Sequence, residues 1–253
     1  MEQWVIDVLI LLAVAFVPSV IYMVWIRNTE RFSREPYGRL VRVFAYGAIL
    51  SVGLAIVLEL ILMALYNQNL ERVYYYFGDD PNLTTLVLAC IIAPVVEELT
   101  KSVGIFRAKG MMSELENGIV YGAAAGLGFA ATENLLYEGT ALLQSGTEAF
   151  IATAVVRSLS SALLHASASS VFGLGIAKST LNGSSWIPYY LLAVLMHGAF
   201  NFFASFGEIF YDQLGDTAYL ISLSAAFIIA IGGISVMRAK IRSLDRHGWR
   251  KKR

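Results

Sequence analysis

The chain has 253 residues, of which 57% are hydrophobic and 15% are charged, and its mean hydropathy is +0.62. Soluble domains carry about 25% charged residues, so the composition excludes a compact water-soluble protein. Nineteen basic residues balance nineteen acidic residues, which leaves no basic footprint for nucleic acid. The single cysteine, Cys90, excludes an internal disulfide and a cysteine-based metal site. This composition predicts an all-α, polytopic membrane protein.

Seven apolar stretches are long enough to cross a bilayer core, which takes about 20 helical residues. In chain order they cover residues 4–26, 43–66, 84–106, 118–137, 150–177, 187–206 and 217–237. No linker separates them, so we expect one membrane-embedded domain over residues 1–253, a bundle of about seven transmembrane helices.

Basic residues concentrate in alternate connecting segments, which are the loops after the first, third and fifth helices and the segment after the seventh. The loops hold Arg27, Arg31, Arg34, Arg39, Arg42, Arg107, Lys109 and Lys178, and residues 238–253 hold eight more. Cytoplasmic segments carry such an excess. We therefore expect an outward N-terminus, a cytoplasmic C-terminus with a basic tail at 238–253, and a location in the cell membrane.

The third helix carries two adjacent carboxylates near the middle of the membrane. Lys101 follows Glu97 by four residues, where an ion pair can form. A structural ion pair does not need the second carboxylate, Glu98. Ionisable groups inside a bilayer usually face a bundle interior or a cavity and mark a functional site.

The fourth helix has small residues at every fourth position, Gly118, Gly122, Gly126 and Ala130. Such a stripe predicts close packing against another helix. It continues into Asn134 with Glu133 beside it, so this packing should bring Glu133 toward the interior. A shallow, solvated position for Glu133 is the alternative.

The fifth and sixth helices each carry a polar face. On the fifth helix the face consists of Arg157, Ser161, His165, Ser169 and Gly173 at four-residue steps, and on the sixth it consists of His197 and Asn201. Two of the three histidines thus lie at similar depth beside the Glu–Glu pair. Asp7 and Glu59 lie toward the outer ends of their helices, and their sequence context assigns them no role.

Peptide hydrolysis inside a membrane needs a polarised water, a base for its proton and stabilisation of the oxyanion. A buried carboxylate suits the base, and histidines can hold the water or donate to the oxyanion. Asn201 could orient His197 or donate to the oxyanion. No G-x-S-x-G motif is present, and Cys90 has no histidine nearby in sequence, so a Glu/His site is favoured over covalent catalysis.

These residues resemble the PrsW family of polytopic proteases, within the superfamily that includes the CAAX prenyl endopeptidases and glutamic-type intramembrane peptidases. The resemblance covers about residues 30–206 and depends on four motifs in order on successive helices, together with the first loop. The motifs are Glu97-Glu98-x-x-Lys101, Phe129-x-x-x-Glu133-Asn134, His165 and His197-x-x-x-Asn201, and the loop reads Arg34-Glu35-Pro36-Tyr37-Gly38-Arg39.

The resemblance implies an intramembrane endopeptidase with a catalytic core at about residues 84–206. PrsW proteins are associated with site-1 cleavage of membrane-bound anti-sigma factors, so a membrane protein or peptide of this kind would be the substrate. Glu97 or Glu98 would be the base, and His165 and His197 would position the water or the oxyanion.

Two positions depart from the prenyl-processing pattern and favour PrsW. The basic residue of the first motif is Lys101, four residues after Glu97, whereas the prenyl-processing enzymes have an arginine one position further along. At the position of Glu133 those enzymes have a histidine. No H-E-x-x-H helix is present, and the candidate ligands are spread over four helices, which favours a glutamate mechanism without a cofactor. A divalent metal such as Zn²⁺ is the alternative, and it would be held by Glu98, Glu133, His165 and His197.

Two other functions use the same residues. A proton- or ion-coupled transporter or channel could employ the buried carboxylates and histidines as a relay, although the absence of internal repeats counts against it. A catalytically silent partner protein could use the small-residue helix for assembly, and it would tolerate replacement of Glu97, Glu98 or His165.

Overall fold

The computed structural model describes residues 3–32, 34–80 and 82–251, and those ranges contain helices and no strand. Two π-helical segments, Tyr46–Ser51 and Leu88–Ile92, and one 3-10 turn, Lys109–Met111, connect some of the helices. The α-helices are α1 (Gln3–Arg27), α2 (Tyr37–Ala45), α3 (Val52–Gln68), α4 (Leu70–Phe77), α5 (Leu83–Val87), α6 (Ala93–Ala108), α7 (Leu115–Leu159), α8 (Ser161–Asn182), α9 (Ile187–Ile209), α10 (Tyr211–Leu214) and α11 (Asp216–Lys251). The expected all-α membrane bundle is confirmed.

Six helical segments of the described chain are long and apolar enough to cross a membrane. One of them, Leu115–Asn182, has 68 residues and would be about 100 Å long if straight, about three times the thickness of a bilayer core. It turns at Gly146, whose φ of 83° is a conformation that glycine adopts readily. The predicted fourth and fifth spans lie on either side of this turn. The number of seven crossings, which counts both arms, and the outward N-terminus stay predictions.

The glycine stripe of α7 is the surface along which this helix packs against α8. Gly122 lies against the backbone of Ser169, and Gly126 lies against the backbone of His165. A Cβ on either glycine would overlap a carbonyl oxygen of α8, so this close approach needs glycine. The predicted close packing is confirmed, and it places the polar face of α8 beside α7.

The centre of the bundle is α8, which is buried on every side from Ser161 to Ala177. A helix that is buried all round lies in the core of a large bundle. Helices α6, α7, α9 and α11 pack around it. Polar side chains of α8 therefore face neighbouring helices and not lipid.

Two arginines expected in the first loop, Arg39 and Arg42, lie instead on α2. Helix α2 buries Leu40 and Val43 on one side, and this apolar face extends the helix toward the loop, which is limited to residues 28–36. The basic tail is also helical, because α11 continues from the membrane segment to residue 251. Residues 252 and 253 of the predicted tail lie outside the described residues.

Candidate active site

Lys101 lies at the centre of a buried polar cluster, and its side chain is fully buried. Its Nζ donates to Glu97 Oε2 at 3.0 Å and to Glu98 Oε1 at 2.8 Å. A third hydrogen bond runs from Nζ to His165 Nδ1 at 2.7 Å. Nζ also lies 4.3 Å from the centroid of the Phe129 ring, a favourable cation–π distance. An ammonium has three N–H donors, so Lys101 has none left for a substrate.

Glu98 connects three helices of the cluster, and its side chain is fully buried. Oε1 accepts hydrogen bonds from Lys101 of α6 and from His197 Nδ1 of α9, the latter at 3.1 Å. Oε2 accepts from Ser169 Oγ of α8 at 3.0 Å. Because His197 donates through Nδ1, its Nε2 carries the lone pair in the neutral ring. Glu98 therefore fixes both the orientation and the tautomer of His197.

Glu97 is the less committed carboxylate of the pair. Its side chain is 8% exposed, and its Oε2 lies 3.9 Å from both His165 Nδ1 and His197 Nε2. A carboxylate offers about four lone-pair sites, and Lys101 uses one of them. A water molecule can therefore lie within hydrogen-bond distance of Glu97 and His197 together.

Glu133 closes the other side of the cluster. Its Oε2 accepts from Arg157 Nη2 at 2.7 Å and from His165 Nε2 at 2.9 Å. Arg157 also donates from Nε to Asn134 Oδ1 at 2.8 Å. His165 thus accepts from Lys101 at Nδ1 and donates to Glu133 at Nε2, which sets its tautomer. The predicted interior position of Glu133 is confirmed. The predicted polar face of the fifth span is divided between two helices: Arg157 lies in the last turn of α7, whereas Ser161, His165, Ser169 and Gly173 lie on α8.

The structure brings a possible metal-ligand set together. Glu97, His165 and His197 each offer one ligand atom, and these atoms lie within 4.8 Å of one another. The predicted set had Glu98 and Glu133 in place of Glu97. Glu98 accepts three hydrogen bonds from protein donors and Glu133 accepts two, whereas Glu97 accepts one, from Lys101.

Two histidines and a glutamate are the ligand types of a catalytic zinc, but the hydrogen bonds present here conflict with one. Lys101 already donates to Glu97 and to His165 Nδ1. A metal ion bound by these atoms would have to displace a buried ammonium. The ligand types fit a metal, whereas the observed arrangement does not.

Asn201 is the predicted site residue that the structure places differently. Its Nδ2 donates to the Ala89 carbonyl at 2.7 Å, and not to His197 on its own helix. Ala89 belongs to the π-helix Leu88–Ile92 that precedes α6. Asn201 therefore attaches α9 to that π-helix. The other six predicted residues, Glu97, Glu98, Lys101, Glu133, His165 and His197, meet in one cluster.

Two parts of this region are not apparent from the sequence. Ser169 belongs to the predicted polar face, but its bond to Glu98 depends on the packing of α8 against α6. The sequence context of Glu59 assigns it no role, yet its carboxyl interacts electrostatically with Glu97, Glu133 and Lys101. Nothing in the local sequence indicates this proximity, because Glu59 stands alone on a helix of apolar residues.

The fold and the cluster together define a multi-pass membrane protein that buries glutamate, lysine and histidine side chains around one site, as a membrane-embedded hydrolase requires. A family model described as "PrsW family intramembrane metalloprotease" matches residues 35–231. The chain belongs to this family and is an intramembrane protease. It is similar to "Protease PrsW" of Clostridioides difficile (strain 630), with 28% identity over 204 residues that cover 76% of this chain and 78% of that protein. No solved structure gives a significant match.

Proposed function

We propose that this protease cleaves a membrane-protein substrate with a water molecule activated by Glu97, without a metal. The observation that supports this most directly is the unequal commitment of the two adjacent carboxylates. Glu98 is fully buried and accepts from Lys101, His197 and Ser169, whereas Glu97 keeps acceptor capacity and lies 3.9 Å from both histidines.

In the proposed reaction, Glu97 removes a proton from the water as its oxygen attacks the peptide carbonyl carbon. His197 Nε2 accepts a hydrogen bond from the second O–H of the water, which stays on the oxygen, and this bond directs a lone pair of the water toward that carbon. Glu97 then gives its proton to the amine nitrogen as the C–N bond breaks, which leaves a carboxylic acid and an amine. General-base catalysis of this kind contributes about 10²–10⁴-fold in rate.

Lys101 supplies the positive charge that the reaction needs in a medium of low dielectric constant. Two neighbouring carboxylates without a cation would be costly to bury. The ammonium lies between them, and its charge, without a direct hydrogen bond, also stabilises the negative charge that develops on the carbonyl oxygen. His165 bonds to Lys101 at Nδ1 and to Glu133 at Nε2, and it thereby holds the ammonium of Lys101 close to the reacting atoms.

The substrate is proposed from the location of the cluster and from family resemblance. The cluster lies among helices long enough to span a membrane, so the bond that it cleaves belongs to a chain that is itself in or next to the bilayer. An anti-sigma factor cleaved at site 1 is the substrate that the resemblance implies, and it stays a prediction.

The test is cleavage of a bilayer-spanning fluorogenic reporter by the purified protein in detergent. Glu97→Gln should lower kcat by about 10²-fold or more with KM close to wild type, and it should cost less stability than Glu98→Gln, because the observed hydrogen bond of Glu97 is the one from Lys101 alone. Glu98→Gln should lower both kcat and stability, because it weakens the bonds to Lys101 and His197. Glu71→Gln, on the exposed helix α4, is the matched control and should be fully active.

A strong chelator separates the two mechanisms. Activity that persists after extensive chelation supports the glutamate mechanism. Activity that is lost and then restored by Zn²⁺ overturns it in favour of a metal enzyme. Ion flux in proteoliposomes, without cleavage of any reporter, would instead support a transporter.

A further inference from the structure

A cavity of about 330 Å³ lies between α3 and the chain around the π-helix Leu88–Ile92. One wall consists of Ile56, Glu59, Leu60 and Met63 of α3, and the other consists of Leu88, Ala89, Ile92 and Ala93. Ile56 and Leu60 are 43% and 55% exposed, so the wall continues onto the lipid-facing surface. The cavity lies at the small end of the volume range of ligand sites, about 300–1,000 Å³.

The cavity is next to the candidate active site. Ala55 of α3 packs in one apolar cluster with Val96 of α6. Glu59 follows Ala55 by one helical turn, and Glu97 follows Val96 by one residue. These positions along α3 and α6 place Glu59 near Glu97, and the Glu59 carboxyl interacts electrostatically with Glu97 and Lys101.

Glu59 is the charged group of the cavity wall, and its Oε1 is buried without a hydrogen-bond partner in the described part of the chain. The remaining lining residues are apolar or small. A carboxylate in such surroundings is costly unless it is paired. Among the described residues, the neighbouring helices do not supply a partner that would offset this cost.

The surrounding charges favour a cationic partner. The acidic groups around the site are Glu59, Glu97, Glu98 and Glu133, and the cations bonded within the described cluster are Lys101 and Arg157. Lys101 has no free donor, and Arg157 is bound to Glu133. Acidic groups thus exceed cations, and Glu59 is the carboxyl without an ion pair.

We propose that the cavity receives a lysine or arginine side chain of the substrate, close to the bond that is cleaved, and that Glu59 binds its charged end. The aliphatic stem of such a side chain would pack against Ile56, Leu60 and Met63, as long basic side chains do on apolar surfaces. Glu59 is then a specificity-determining residue. This inference rests on the proposed function for its biological meaning, but its test does not require cleavage.

The test measures binding of fluorescent transmembrane peptides to the full-length protein in nanodiscs. One peptide contains only leucine and alanine in its apolar segment, and six others carry a single lysine at successive positions. The Glu97→Gln background prevents cleavage during the measurement. We expect at least one lysine peptide to bind about tenfold more tightly than the reference peptide. In the Glu59→Gln variant this preference should disappear, whereas Glu71→Gln should retain it.

Equal binding of all peptides, or a lysine preference that survives Glu59→Gln, overturns the proposal. Glutamine has the volume of glutamate and removes only the unpaired charge, so Glu59→Gln should fold, which thermal unfolding will check. Cleavage of matching reporters by otherwise wild-type protein then addresses the proposed function separately. A Glu59-dependent lysine preference without any cleavage would support this site and refute the hydrolytic mechanism.

Discussion

Lys101→Met tests whether a built-in cation holds the active-site cluster together. Methionine keeps a long unbranched side chain that can stay over the Phe129 ring, but it removes all three hydrogen bonds of the ammonium. Glu97 and Glu98 would then be neighbouring carboxylates without a counter-charge, and His165 would lose the donor to its Nδ1.

The expected effect is large because the cluster is buried. Removing one partner of a buried ion pair typically costs about 3–5 kcal/mol, and here two carboxylates and a histidine lose the same partner. In a chain of this length, each kcal/mol shifts the apparent Tm by about 2–4 °C. We therefore expect Lys101→Met to lower the Tm by about 10 °C or more.

Thermal unfolding in one detergent, followed by tryptophan fluorescence, measures this shift. Lys178→Met is the matched control, because Lys178 is only half-buried and contacts the Tyr189 hydroxyl and ring. The double variant Lys101→Met/Glu98→Gln should recover at least about 1 kcal/mol, since it removes one uncompensated charge. A Tm within 2 °C of wild type for Lys101→Met would refute the reasoning. A chelator that lowers the Tm of the wild type as much would identify a metal as the organising cation.

Two further predictions concern helix packing and a buried loop carboxyl. Gly122→Ala should destabilise the protein by about 1–3 kcal/mol, because the added Cβ would overlap the Ser169 carbonyl. The control is Gly53→Ala, which should be neutral or stabilising because the space around Gly53 is open. Equal shifts in Tm for the two variants would contradict this prediction. In the loop between α1 and α2, burial raises the pKa of Glu30 to about 8, so the folded protein holds a proton that the unfolded chain releases near its ordinary pKa of 4.5. Stability should therefore fall as pH rises from about 5 to about 8, and Glu30→Gln should flatten this slope in unfolding measurements; an unchanged slope would show that Glu30 does not cause it.

Much of the site could be predicted from the sequence because its residues follow regular helical spacing. His165 and Ser169 are four residues apart, so they had to share one face of α8. The glycine stripe indicated close packing against another helix. It could not indicate that α8 is the partner, because pairing between helices depends on the whole bundle.

Other features depend on backbone geometry that a helical period does not describe. The π-helix Leu88–Ile92 has a wider turn than an α-helix, so the side chains before it and after it do not follow one 3.6-residue pattern. A second π-helix, Tyr46–Ser51, precedes α3 and has the same effect on the direction of Glu59. The predicted bond from Asn201 to His197 is likewise not formed, since the Asn201 amide donates to a carbonyl of the π-helix; donation by Asn201 to the oxyanion stays a prediction.

The division of the cluster among helices bears on how a substrate can reach it. The proposed base, Glu97, and its counter-charge, Lys101, lie one turn apart on α6, so their geometry is set within a single helix. His165 and His197 come from α8 and α9, and Glu98 connects both helices to α6. Helix α7 contributes Glu133, and α3 contributes Glu59 and an apolar surface that faces lipid. A substrate chain that approaches from the side of α3 would therefore meet Glu59 and the proposed base, Glu97, while Lys101 and the two histidines are held by bonds among α6, α7, α8 and α9.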